Sequence, residues 1–381
     1  MAGDSNVPPN ESATQFWEQY FARLSADENA TLVDPTHDER EDEARLRVGL
    51  AAAGWAEHEI DERIKIQKDA EASAPVTSPG VAPSVERLFA RLCDDVEGAM
   101  GRLGLDSQTR IARGIEPRAG PLAAMTNIIM TDQAIVTVGS FLFRFCGLVA
   151  RACTRTIYLN PVRWECEDYA DAVGRELLRG RPDLIHYWLR IYLSYAVTGT
   201  HILAQLKPAT KSEVWMFEEI ARAMEIFAVA HEYGHHNGGH GRQMGSDPKR
   251  EEFEADQFAL RVGYELERFP ELIPNPYLAS GAGGVVLLKA LNTLIKVEET
   301  VTNTPLPVSD THPTIAERLE RFDTIAVLSP KEFSVLKGFR TVCHRVMDCV
   351  EIEVLELLLS IPKDAHNKLK EMCNVLRHSQ T

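Results

Sequence analysis

Cysteine is scarce in this chain and follows no pairing pattern. The 381 residues include seven cysteines, an odd number, and no two of them stand in a C-x-x-C arrangement. Cys343 and Cys349 are six apart, without a further ligand pattern around them. This usage favours buried thiols in a reducing compartment over a disulfide framework.

Long uninterrupted apolar runs are also missing. The most apolar segments are residues 134–150, which Arg144 interrupts, and residues 184–206, which contain an arginine and two histidines. Neither supplies the roughly 18 apolar residues that a membrane-spanning helix needs. Residues 1–15 show neither the basic nor the apolar region of a secretory signal. We therefore expect a cytoplasmic protein without a membrane span.

Positive charge is in short supply. The chain has 41 lysines and arginines against 56 aspartates and glutamates, which gives a formal net charge of −15. Such a surface repels phosphate and argues against a nucleic-acid partner. Residues 1–85 hold 17 acidic and 7 basic residues, so most of the excess lies there. A protein partner for this acidic N-terminal part is compatible with its charge.

The remaining composition suits a chain that buries a sizeable core, with 44% apolar and 25% charged residues. Changes in composition along the chain predict four parts. They are an acidic N-terminal helical module (1–72), a linker rich in proline, serine and glycine (73–84), a main domain (85–329) and a C-terminal helical extension packed on that domain (330–381).

Strand patterns are confined to the part of the chain ahead of a histidine-rich stretch. The run TNIIMTDQAIVTVGSF, residues 126–141, predicts two strand pieces around a turn, and TRTIYL, residues 154–159, predicts one more. A helix is expected near residues 85–103, and helical periodicity dominates from residue 164 onward. The predicted fold class is therefore α+β, mostly helical with a small β-sheet.

The histidine-rich stretch is HEYGHHNGGH, residues 231–240. A capping box at Thr210 and Glu213 predicts a helix start upstream, and Gly238-Gly239 predicts its end. Along this helix one stripe turns from apolar residues to histidines; it consists of Ile220, Met224, Phe227, His231 and His235.

Histidines four apart on one helix face can share a single metal ion at about 2.0–2.1 Å. Glu232 is rotated about 100° from His231, so it can lie beside the ion without binding it and act as a general base. Gly234 is expected to keep a side chain from crowding the metal. His231 and His235 alone leave a zinc site one protein ligand short.

His240 is a tempting third ligand because H-E-x-x-H-x-x-G-x-x-H is a known zinc pattern. That pattern needs histidine at position 241, however, where this chain has Gly241. His236 points about 100° away from the face of the two ligands. We therefore look for the third ligand further along the chain.

Glu252 is the better candidate. Asp247 and Pro248 suit the start of a second helix, on which Glu252 and Asp256 are four apart. Asp256 can hold the Nδ1–H of a ligating histidine. Small residues continue the same stripe and permit close helix packing, namely Ala255, Ala259 and Gly263. The rival glutamates, Glu251 and Glu254, lack both features.

These motifs resemble those of the gluzincin metallopeptidases of the HtpX and CAAX prenyl protease group. HEYGH is followed by EFEAD, and SDTHPTIAERLERF, residues 309–322, is similar to that group's T/S-H-P-x-x-x-x-R segment. The resemblance covers about residues 120–327. It implies a zincin-like domain with Glu252 as third zinc ligand, and His312 and Arg318 lining the active site. It also implies an edge strand that pairs with an extended substrate.

The resulting expectation is a zinc-dependent endopeptidase that hydrolyses a peptide or protein substrate through a metal-activated water, with Glu232 as general base. One alternative is a catalytically silent zinc scaffold, in which His240 closes the site as a fourth ligand. Another is a peptidase kept silent until triggered, with residues 1–80 as a lid or docking arm. The best-known members of that group are embedded in membranes, whereas we expect no membrane span in this chain.

Overall fold

The computed structural model describes residues 11–26, 39–72, 83–105, 111–116, 119–128, 131–166, 168–204, 207–242, 246–268, 274–305, 312–322 and 330–378. Most of the predicted linker, residues 73–82, lies outside the described residues. The linker and the four-part division of the chain therefore stay predictions.

Helices make up most of the described chain, and a small sheet lies among them, so the predicted α+β class is confirmed. The N-terminal elements are α1 (Glu11–Ala26), α2 (Glu39–Ala52), α3 (Glu57–Ala72), α4 (Pro83–Arg102), β1 (Ile111–Glu116), β2 (Ala123–Asn127) and β3 (Ala134–Gly139). The middle contains α5 (Leu142–Ile157), α6 (Pro161–Glu165), α7 (Asp171–Arg179), α8 (Pro182–Thr198), α9 (Lys211–Asn237) and α10 (Pro248–Glu267). The chain continues with α11 (Pro276–Ala279), α12 (Ala282–Thr302), α13 (Ile315–Phe322), α14 (Pro330–Leu359) and α15 (Lys363–His378).

Within the described residues the sheet has three strands in the order β1-β3-β2. β2 and β3 pair antiparallel, with Asn127 opposite Ala134. β3 confirms the second predicted strand piece, whereas β2 lies earlier in the chain than the first piece and shares only Thr126 and Asn127 with it. β1 pairs parallel to β3 and was not predicted, because IARGIE has arginine and glycine inside a short apolar pattern. β2 is an edge strand.

The strand predicted over residues 154–159 is wrong, because residues 154–157 form the last turn of α5. Thr154 and Thr156 are buried there, and the Thr156 hydroxyl donates to the Ala152 carbonyl at 2.8 Å. The same hydroxyl accepts from the Trp188 indole at 3.0 Å. Burial among helices thus overrides the β-propensity of the two threonines.

Helix α9 runs through the centre of the helical core and packs against α5, α10 and α12. Its apolar stripe is buried, as predicted. α12 approaches closely through Gly283, where an added Cβ would lie 2.4 Å from the Ala223 Cβ. The C-terminal end of this central helix carries the histidines.

Helix α1 covers the outer face of the sheet. The Trp17 ring lies where a Cβ of Gly114 would be, and the Tyr20 hydroxyl donates to Glu116 Oε1 at 2.6 Å. α1 therefore packs on the strands rather than on the histidine-bearing end of α9.

Helices α2 and α3 dock near the start of α9. The Trp55 indole donates to the Ala209 carbonyl at 3.2 Å, and Arg63 forms an ion pair with Glu218. Glu218 and His231 are roughly 20 Å apart along the axis of α9 at 1.5 Å per residue. These contacts place α2 and α3 away from the histidines.

The long helix α14 packs against α12 and α7. Glu353 of α14 accepts from Arg175 at 2.6 Å and from Arg179 at 2.9 Å. Within the described ranges, no helix combines the length and the apolar character that crossing a bilayer requires.

Candidate metal centre

Local sequence features build the helix that carries His231 and His235. At its start Glu213 accepts from the Thr210 backbone N–H at 2.9 Å, which is half of the predicted capping box. α9 ends at Asn237, as the glycine pair predicts. Gly239 has a φ of 64°, so the chain turns back at this residue.

The second helix, α10, also begins as predicted. Asp247 Oδ1 accepts from the Lys249 backbone N–H at 3.0 Å, and Pro248 is the first helical residue. α10 crosses α9 where Gly234 meets Ala255, and a Cβ on Gly234 would lie 2.9 Å from the Ala255 Cα. Gly234 is therefore needed for the helix crossing itself, whereas the sequence had suggested crowding of a metal.

This crossing brings His231, His235 and Glu252 together in a cluster that could hold a metal ion. The two Nε2 atoms are 3.1 Å apart, and each lies 3.4 Å from an oxygen of Glu252. Bonds of about 2.0–2.1 Å in tetrahedral geometry separate ligand atoms by about 3.3–3.4 Å. The spacing of the three donors therefore fits one shared ion.

Asp256 contacts the Nδ1 side of His231, and Arg318 pairs with Asp256. Asp256 Oδ1 lies 3.0 Å from His231 Nδ1, on the side of the ring away from Glu252. Arg318 donates to both oxygens of Asp256, at 2.8 Å from Nε and 2.5 Å from Nη2. The Asp256 side chain is fully buried, so this pairing is shielded from solvent. It fixes the carboxylate, and the carboxylate fixes the imidazole.

The charges around the cluster favour a cation at its centre. Burial disfavours a charged His231 ring, but hydrogen bonds to Asp256 and Glu252 outweigh it and raise the pKa of His231 to about 9. Burial likewise opposes a charged Glu252, yet its contacts with His231 and His235 lower the pKa of Glu252 well below its usual value. The carboxylate therefore stays ionised, as a metal ligand must.

Glu232 is buried beside this cluster. Burial raises the pKa of Glu232, and the neighbouring His231 and His235 partly oppose that rise. It is not a member of the three-residue group, and its role as a general base stays a prediction.

His312 lies on the exposed side of the cluster. Its Nε2 is 3.4 Å from Glu252 Oε1, and the side chain is 60% exposed. It stands just before α13, which begins with a capping box at Thr314 and Glu317. Glu317 accepts from the Thr314 backbone N–H at 2.6 Å, and the Glu317 N–H donates to the Thr314 hydroxyl at 3.2 Å.

His240 is not a member of the ligand group, and the rival glutamates contact the loop after α9 instead. His240 Nδ1 lies 3.0 Å from His235 Nδ1, the nitrogen that faces away from the cluster. Glu254 lies 3.2 Å from His240 Nε2, and Glu251 accepts from the Gly241 backbone N–H at 3.1 Å. The sequence did not predict these contacts, because they depend on how the loop folds back.

No family model matches this chain, and neither a curated protein nor a solved structure is significantly similar to it. The motifs and the geometry of the cluster therefore carry the functional argument.

Proposed function

We propose that this protein is a zinc-dependent endopeptidase. The observation that carries the proposal is the convergence of His231, His235 and Glu252, residues from two helices, at the spacing of a shared ion. Two imidazoles and one carboxylate are the ligand set of many catalytic zinc sites, which keep one position open. When bound there, Zn²⁺ would polarise a carbonyl oxygen and make a water molecule more acidic.

Glu232 is the proposed general base. It follows His231 on α9, so its carboxylate is held next to the cluster while the histidines face the ion. In this position it would take a proton from the attacking water and deliver it to the leaving amine. Its buried setting keeps bulk water from competing for that proton.

His312 is the proposed partner for the negative charge that develops on the scissile carbonyl. Its exposure and its 3.4 Å distance from Glu252 support this role, because a peptide would approach the cluster from the exposed side. Arg318 is proposed to support the site through Asp256, since its guanidinium is paired with that carboxylate. The family resemblance likewise implies that His312 and Arg318 line the active site.

The substrate is proposed to bind in an extended conformation along β2. This strand lies at the edge of the sheet, packs near α9 and continues toward Asn127, whose side chain donates to the His240 carbonyl at 2.8 Å. An edge strand can pair with a peptide backbone whatever the side chains are. The proposal therefore names proteins and peptides as the substrate class.

The test compares the wild-type chain with Glu232→Gln. Each is loaded with zinc and assayed for metal content and for cleavage of a casein-type substrate. The variant should keep its zinc and lose at least about 100-fold in rate, because it lacks a base. Glu218→Gln, on the same helix near α3, is the matched control and should cleave normally.

Chelation gives the second arm of the test. Removing zinc should stop cleavage by the wild-type chain, and adding zinc back should restore it. Equal rates in the wild type and Glu232→Gln would overturn the mechanism. A wild-type chain that binds zinc tightly yet cleaves nothing would instead support the silent scaffold.

A further inference from the structure

His240 is a buried histidine between a candidate metal ligand and a carboxylate. Its side chain is only 5% exposed. One ring nitrogen, Nδ1, lies 3.0 Å from His235 Nδ1, and the other, Nε2, lies 3.2 Å from Glu254 Oε2. Both nitrogens therefore have a partner, and the three side chains form a continuous line that ends at the cluster.

The direction of the hydrogen bonds from His235 to His240 and Glu254 follows from the state of His235 Nε2, which faces the ion site. If His235 offers its Nε2 lone pair to an ion, the proton of the neutral ring is on Nδ1. His235 Nδ1–H must then donate to His240 Nδ1, which has to be an acceptor. His240 consequently carries its own proton on Nε2 and donates it to Glu254, which is an acceptor only.

The backbone at the end of α9 brings the His240 ring to this place. The His240 N–H donates to the His235 carbonyl at 3.0 Å, and the Gly239 N–H donates to the His236 carbonyl at 3.0 Å. These two bonds form a Schellman motif, with Gly239 in the left-handed conformation. At Gly238 a Cβ would lie 2.1 Å from the His240 ring, so glycine also leaves room for the imidazole.

We propose that His240 is a positioning residue for the metal ligand His235, and that Glu254 fixes the direction of the hydrogen bonds between them. His240 gives His235 what Asp256 gives His231: an acceptor for Nδ1–H that fixes the tautomer and orients the ring. The proposal rests on the metal centre of the proposed function but not on peptide hydrolysis.

The experiment measures the affinity of the full-length protein for Zn²⁺ by competition with a colour-forming chelator. His240→Leu removes the acceptor and should weaken zinc binding about 10- to 100-fold. His240→Asn keeps an acceptor oxygen near the place of Nδ1 and should bind within about threefold of wild type. Glu254→Ala removes only the end of the line and should give an intermediate loss.

His186→Leu is the matched control, because this exposed histidine lies on α8 and its Nδ1 lies 2.6 Å from the Pro182 carbonyl oxygen of the same helix. Melting curves of the metal-free variants separate affinity from folding. A purely structural ring would lower the melting temperature of both His240 variants and leave zinc affinity unchanged in the folded protein. Unchanged affinity in His240→Leu would overturn the proposal.

A measurement on the wild-type chain keeps the test independent of variant folding. NMR spectra of the zinc-loaded protein with ¹⁵N-labelled histidine should show His240 as the Nε2–H tautomer. The Nδ1–H tautomer would overturn the proposed direction. If the wild-type chain binds no zinc, the metal centre itself fails. If it binds zinc without cleaving peptides, only the peptidase proposal fails.

Discussion

The two histidines of the cluster are one helical turn apart, yet they are held in different ways. His231 is fixed by Asp256, a fully buried carboxylate that is itself clamped at both oxygens by Arg318. His235 is fixed by His240, and the line continues to Glu254, whose side chain is 42% exposed. One support ends inside the protein and the other ends at its surface.

This difference indicates that core packing positions His231, whereas local turn geometry positions the support of His235. The support of His231 needs three elements, α9, α10 and α13, to meet in the core. The position of His240 depends mainly on the turn that ends α9. Asn127 of β2 donates to its carbonyl, and α10 supplies Glu254. We therefore expect the His231 side to contribute to folding stability as well as to metal binding, and the His235 side mainly to metal binding.

The largest effect should come from Asp256→Asn. The substitution leaves the buried Arg318 guanidinium without its main counter-charge, so we expect a loss of about 3–5 kcal/mol in the free energy of unfolding. Denaturant unfolding of the metal-free protein measures this. Glu254→Gln removes the same charge at the partly exposed end and should change stability far less. Equal losses in the two variants would contradict the comparison.

A second prediction concerns the helix crossing that both sides share. Gly234→Ala places a Cβ 2.9 Å from the Ala255 Cα, so α9 and α10 must move apart. We expect a loss of about 1–3 kcal/mol in stability and weaker zinc binding, because Glu252 moves with α10. Both are measured by denaturant unfolding and chelator competition.

Gly98→Ala is the matched control for this substitution. It lies in α4, and its nearest contact would be the Arg102 Nη1 at an ordinary 3.6 Å. Alanine there should stabilise the protein slightly, by about 0.5–1 kcal/mol, because glycine is unfavourable inside a helix. If Gly234→Ala behaved like this control, the crossing would not set the position of Glu252.

What the sequence could predict depends on how far apart in the chain the contacting residues are. Short-range features were predicted correctly, namely the helix starts at Thr210 and Asp247 and the glycine pair that ends α9. They depend on residues a few positions apart. Glu252 was predicted as the third ligand because its helix also carried Asp256 and small residues at helical spacing, which is again a local pattern.

Apart from the contacts of Glu252 and Asp256 with the histidines, the long-range contacts of the site were not predicted. Arg318 was expected to line the active site, and nothing in its own segment indicates a bidentate pair with Asp256, 62 residues earlier in the chain. His240 was considered only as a metal ligand. Its spacing in the sequence does not reveal the turn at Gly239, which brings its ring to Nδ1 of His235. β1 was missed because its pairing with β3 compensates for a weak local pattern.

The smallest effect should come from Arg250→Ala, at the outer end of the His235 side. Arg250 donates to Glu254 at 2.6 Å, but its side chain is 76% exposed, so water and salt screen the pair. We expect a change of about 1 °C or less in melting temperature and about twofold or less in zinc affinity. Sodium chloride at 1 M should make the wild-type chain behave like the variant. A loss of stability as large as that of Asp256→Asn would show that the exposed Arg250–Glu254 pair stabilises the fold as strongly as the buried Arg318–Asp256 pair. The contrast between the two histidines would then disappear.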